Sequence, residues 1–156
     1  MSETVMNNLK QAKKILYENN YTFVLLNGND TIITSNKKGI IPLMEIIQKN
    51  ENLLNNSVVA DKVIGKAAAL LMTGFKVRAL YTDLMSQKAI EVLKQSSIIY
   101  QYQKCVDYVQ NRAKNGQCPM EKLTKDIFDY RIAYQRILQY YKEVLNIDFK
   151  KIPADE

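Results

Sequence analysis

The run Tyr21–Leu26, YTFVLL, is uncharged and apolar almost throughout, so as a strand it has to be covered on both of its faces. A strand of that kind lies between helices, and the flanking pattern supplies them. From Glu3 to Glu18 the apolar positions Val5, Leu9, Ala12 and Leu16 recur at helical spacing with lysines on the other side, which predicts a first helix. Asn27, Gly28, Asn29 and Asp30 read as a turn, and Thr31–Thr34 as a second strand that completes a hairpin.

Further along, Gly39 and Pro42 punctuate the start of a short helix through Leu43, Ile46 and Ile47, and KNENLLNN marks a loop. After SVV, the segment ADKVIGKAAALLMTG reads as a helix whose stripe is Ile64, Ala67, Ala68 and Leu71, with Gly74 as its stop. KVRALYT is then a strand, SQKAIEVLKQS a helix, and IIYQYQKCVDYVQ one long strand or two short ones ending near Asn111. From Cys118-Pro119 onward, Met120, Leu123, Ile127, Tyr130, Tyr134, Leu138, Tyr141 and Leu145 alternate steps of three and four. That spacing predicts one long helix, about 119–146, whose seam packs on another helix and is in part available to a second subunit. The chain is expected to be an α/β protein with a single domain over 1–156, its core about 1–126.

With 156 residues, 47% apolar and 24% charged, the chain has ordinary globular composition and length enough for one core. Its net charge of +6 favours anionic ligands. The lysines nevertheless come in short separated groups (Lys10, Lys13 and Lys14; Lys37 and Lys38; Lys150 and Lys151), without the basic stripe that a nucleic-acid groove shows. Cys105 and Cys118 do not form a disulfide framework, and MSETVMNNLKQAKK has no apolar signal core. The longest apolar run, AAALLM, is far too short to span a bilayer. A cytoplasmic protein without a membrane segment is expected.

The order helix, hairpin, helix, helix, strand, helix, strand, with VADKVIGKAAALL, VRALYTDLMSQKA and VDYVQNRAKNGQCPME, resembles a bacterial family of domains of unknown function. The resemblance covers roughly 21–126, and CPME and DKVIGKAAALL are its most specific parts. It implies a cytidine-deaminase-like fold: three layers, α-β-α, around a mixed sheet opened by a hairpin, here followed by the long C-terminal helix. Zinc deaminases hold their metal with H-x-E opening one helix and P-C-x-x-C opening the next. This chain has no histidine, its first equivalent helix opens with Asp61-Lys62-Val63, and the next opens near Thr82-Asp83 without a cysteine. Cys118 precedes a proline and lies thirteen positions after Cys105, outside paired zinc spacing. No metal or cofactor is expected, and a deaminase shape would serve another purpose.

Three groups of residues are candidates for a site. Lys62 and Lys66, four apart in the first turns of the helix that opens at Asp61, stand where backbone N–H groups already carry partial positive charge. A bound anion would relieve that crowding, with Gly65 allowing close approach; alternatively Asp61 caps the helix and offsets the charge. Cys118 stands in a cap slot at the end of a loop that carries Asn111 and Arg112. A helix N-terminus there would activate its thiol, with Glu121 or Asp61 as base, or the cysteine is inert and Glu121 forms half a capping box. Thr82, Asp83 and Ser86 lie where a strand passes into a helix, which is where open α/β sheets bind ligands and equally where a helix is capped. The leading expectation is a domain that binds a small anionic ligand, such as a nucleotide, around Asp61–Lys66 under the 111–121 loop. The competing expectations are a structural or regulatory protein that self-associates through its C-terminal helix, and a non-metal enzyme using Cys118.

Overall fold

In a computed structural model, which describes residues 3–28, 30–111 and 113–151, the apolar run becomes β1 (Phe23–Asn27). Phe23, Val24, Leu25 and Leu26 are all buried. Alternation along the strand sends Val24 and Leu26 to one face and Phe23 and Leu25 to the other, into two separate apolar layers. On the first face lies α1 (Glu3–Glu18), which buries Leu9, Ala12 and Leu16.

The hairpin partner is β2 (Thr31–Ser35), and α2 (Ile41–Asn50) and a 3-10 turn at Glu51–Leu53 lead to β3 (Val58–Ile64). Next come α3 (Lys66–Gly74), β4 (Ala79–Ser86), α4 (Gln87–Lys94) and β5 (Ile99–Val106). α5 (Pro119–Leu123), α6 (Tyr130–Val144) and a 3-10 turn at Phe149–Lys151 follow. The five strands form one mixed sheet in the order β2-β1-β3-β4-β5. β1 runs antiparallel to β2 and β3, whereas β3, β4 and β5 are parallel. The second face of the sheet carries α2, α3 and α4, so helices cover both sides, as an α/β layer arrangement requires.

Four local expectations are corrected by the structure. Asp61–Ile64 is strand, not the opening of a helix: Val63 and Ile64 pair with Leu84 and Met85 of β4, and the helix begins only after Gly65. Thr82 and Asp83 lie inside β4, which runs on to Ser86, so neither opens a helix. β5 stops at Val106, and Gln110 only makes an isolated bridge to Gln117. The C-terminal segment is two helices, because Thr124 ends α5 and the Asp129 side chain starts α6 by accepting from Arg131 N at 2.8 Å. Of the turn Asn27–Asp30, Asn29 lies outside the described residues.

The seam expected to pair helices is used within the chain. Ala133, Ile137, Leu138 and Tyr141 of α6 are buried in the same layer as α3, and Leu145 at the end of the series is exposed. Gly74 matters here as a point of contact as well as the last residue of α3. A Cβ at this position would lie 2.0 Å from Cγ of Tyr130, at the start of α6, whose ring stands edge-on to Phe75 at 5.1 Å. Gly74→Ala is therefore expected to lower stability by about 1–3 kcal/mol through overpacking. The check is a lower urea midpoint with an unchanged m value, together with a smaller loss when the substitution is made in a Tyr130→Ala background.

Candidate functional site

The parallel strands β3, β4 and β5 end on one side of the sheet, the side on which open α/β sheets place their ligands. At the end of β3, Gly65 is the N-cap of α3 and brings no side chain to its orphan N–H groups. They are met from elsewhere in the chain. Glu121 Oε1 accepts from Lys66 N at 2.8 Å and Oε2 accepts from Val109 N at 3.4 Å, with Glu121 buried. A carboxylate thus occupies the position in front of α3 that an external anion would take. A Cβ on residue 65 would lie 2.6 Å from Glu121 Oε1, so glycine is what lets the carboxylate seat itself.

The expected pairing of Lys62 with Lys66 does not form, since one is on a strand and the other opens α3. Lys66 is buried; its Nζ donates to the carbonyl of Lys125 at 2.9 Å and lies 4.4 Å from the ring centroid of Phe128. Burial, and then the nearby Lys88, hold its pKa below the usual lysine range. Glu121 is turned towards α3, and the N–H of Cys118 donates instead to the carbonyl of Val109 at 2.7 Å, so the capping box is absent. Cys118 is half-buried and makes no side-chain cap. Asn111 closes a local turn with Asn115, its Nδ2 donating at 2.8 Å. Arg112 lies outside the described residues.

Of the third group, Thr82 is fully buried and bonds the backbone of Leu84, and Ser86 caps α4 by accepting from Ala89 N at 3.1 Å. Asp61 is also buried, with Oδ1 accepting from Val63 N at 3.4 Å. Burial pushes its carboxyl up to about 8, against the donation from Val63 and Lys62 backbone N–H groups. Asp83 differs from these three, because it points to the α1 side and gathers a cluster there. Its Oδ1 accepts from the hydroxyl of Tyr17, at the end of α1, and from that of Tyr81 at 2.8 Å. Lys62 Nζ stands 3.4 Å from its Oδ2.

The two hydroxyl oxygens are themselves 2.5 Å apart, so three contacts share two hydrogens. Burial raises the Asp83 carboxyl, but the hydroxyls of Tyr17 and Tyr81 and then Lys62 outweigh it and hold the group below the usual carboxylate range. Burial, reinforced by hydrogen bonding to Asp83, pushes both phenols up, while the bond between them raises Tyr81 further and opposes the rise of Tyr17. Two lysines stand over the rings: Lys62 Nζ is 4.8 Å from the Tyr17 centroid and Lys13 Nζ is 4.4 Å from that of Tyr81. Beside Tyr81 a groove of about 520 Å³ runs between α1 and β5, lined by Lys13, Tyr81 and residues 100–103.

Lys13, Tyr17 and Tyr81 were not among the residues singled out from sequence. The available signal was spacing: Lys13 and Tyr17 are one helical turn apart, and Tyr81 and Asp83 share a strand face once β4 is known to continue.

Fold and site together define an α/β domain with a helix-covered mixed sheet and a polar cluster between α1 and the parallel strands β3 and β4. The family profile described as TM1506, Domain of unknown function (DUF1893), matches residues 11–141, and the chain belongs to that family. The crystal structure of a DUF1893 family protein (TM1506) from Thermotoga maritima is similar, with a TM-score of 0.79 at 24% identity over 89% of this chain and 91% of the other. That likeness concerns the fold. No curated protein matches this chain.

Two predictions follow from the buried carboxyls. Glu121→Gln keeps one acceptor oxygen and sets an amide N–H₂ against a backbone N–H, so a loss of about 1–3 kcal/mol is expected in denaturant unfolding. For Asp61, the folded pKa of about 8 lies above the ordinary 3.8, so the unfolded chain ionises first as pH rises. Its destabilising effect is absent below about pH 4 and grows until pH passes 8. Asp61→Asn should accordingly be more stable than the wild type at pH 8, by a few kcal/mol, and the gap should close towards pH 4 in parallel urea titrations. A gap independent of pH would contradict this assignment.

Proposed function

We propose that the chain binds a small anionic ligand, a nucleotide or a related phosphate, in the groove between α1 and β5. The frame for this reading is a cytidine-deaminase-like scaffold that carries no histidine and performs no zinc hydrolysis. The observation that carries it is Lys13: held over the Tyr81 ring at the groove wall, it has no ion-pair partner among the described residues. An anion entering the groove would meet a positioned charge that no carboxylate among the described residues pairs with.

The floor and margin suit the rest of such a ligand. Gln101 and Gln103 each offer an amide donor and acceptor, the pairing that a heterocyclic base or a sugar hydroxyl needs. Asp83 does not oppose an anion strongly, because two hydroxyls and Lys62 already satisfy its charge. By contrast, the N-terminus of α3, where the anion was first expected, is filled by Glu121.

Calorimetric titration with nucleoside mono-, di- and triphosphates and with sugar phosphates tests the reading. At least one should bind the wild type, and Lys13→Ala should weaken it by roughly tenfold or more, the value of one charge-assisted contact. Lys66→Ala, at the mouth of α3, should leave the affinity unchanged. Binding by none of these compounds, or dependence on Lys66 instead of Lys13, would count against the groove.

A further inference from the structure

β5 is an edge of the sheet. It has eight residues, and among the described residues it pairs only with β4. Gln101, Tyr102, Gln103, Lys104 and Cys105 are all exposed, Tyr102 at 43%. Edge strands are ordinarily blunted by proline, by several charges or by a covering helix or loop. β5 contains no proline and a single charge, Lys104. The described residues of the following segment leave 101–105 exposed, Val109 donating instead to Glu121 in front of α3. The other edge, β2, offers only five residues.

We infer that β5 pairs antiparallel with β5 of a second copy, about a two-fold axis at Tyr102, to join five strands from each copy in one sheet. A two-fold perpendicular to a sheet has to pass through a residue, because consecutive side chains point to opposite faces. Centring it on Tyr102 sets that ring opposite its own copy and Gln101 opposite Gln103. It also sets Tyr100 opposite Lys104 and Ile99 opposite Cys105. Aromatic meets aromatic, amide meets amide, and the lone cation meets an aromatic ring, each a favourable cross-strand pair. Centring on Lys104 would oppose like charges. The ladder from Ile99 to Cys105 spans about 23 Å at the usual rise. It would also bring the second copy against the open side of the groove at Gln101 and Gln103, although the pairing stands without any ligand there.

Light scattering of the full chain over a micromolar concentration series, with matched samples of Tyr102→Lys and Tyr102→Glu, is the test. Circular dichroism melts confirm that both variants fold, as substitution of an exposed edge residue should allow. The wild type is expected to reach twice the chain mass. Each variant alone should dissociate at concentrations at least about tenfold higher than the wild type does, because like charges then face each other across the axis. Mixed in equal amounts, the two variants should recover the dimer, since Lys then faces Glu. A monomeric wild type overturns the inference and leaves the edge to an extended segment of another protein. Dimers unaffected by either substitution overturn it in favour of another surface, and variants that stay apart when mixed overturn the axis at Tyr102.

Discussion

A sheet whose central strand is apolar on both faces needs two covers, and on one of those faces the described residues supply a single helix. An α-helix is about 10–12 Å across and strands lie about 4.8 Å apart, so one helix shields roughly two to three strands. α1 lies over β1, β3 and β4, burying Val24, Leu26, Val58, Ala60, Ala79 and Tyr81 beneath Leu9, Ala12 and Leu16. Ile99 at the start of β5 still packs against this cluster, but the rest of β5 falls beyond the helix's width, where Gln101 and Gln103 are polar and exposed. The margin of α1, where cover ends, is where Lys13 and Tyr17 meet Tyr81. The polar cluster and the groove are thus two consequences of one shortage of cover. The second face shows the opposite arrangement: α2, α3 and α4 lie on the sheet, and α6 packs outside α3.

What was legible in the sequence was local and periodic. The ends of α1 and the two-sided burial of β1 follow from spacing alone, and the structure has them as read. The failures lie where a pattern has two sources. Ile64 fits a helical stripe with Ala67, Ala68 and Leu71, yet it is apolar because it ends a buried strand. Only pairing with β4, twenty-one residues away, separates the two readings. Thr82, Asp83 and Ser86 all have the chemistry of caps, but only Ser86 is one, because the ladder to β5 holds the other two extended. The three-and-four spacing continues across the gap between α5 and α6 because Ile127 fills the core from a turn. The site was less legible than the fold. Tyr17 and Tyr81 are separated by 64 positions, and no spacing rule announces that their hydroxyls meet at Asp83.

The carboxylates of Glu121 and Asp83 both bear on the expectation of an anion at the mouth of α3. A helix N-terminus attracts any carboxylate, and one tethered through the chain's own α5 competes at an effective concentration far above that of a free metabolite. Glu121 therefore turns the mouth of α3 into a structural joint, tying it to α5 and, through Val109, to the segment after β5. Asp83 is engaged as fully, but by donors that leave a cation over: Lys62 is drawn to the carboxylate, and Lys13 stays on the Tyr81 ring. With the helix mouth filled from within, the positioned positive charge lies on the other face of the sheet. A search for what this domain holds therefore begins along α1.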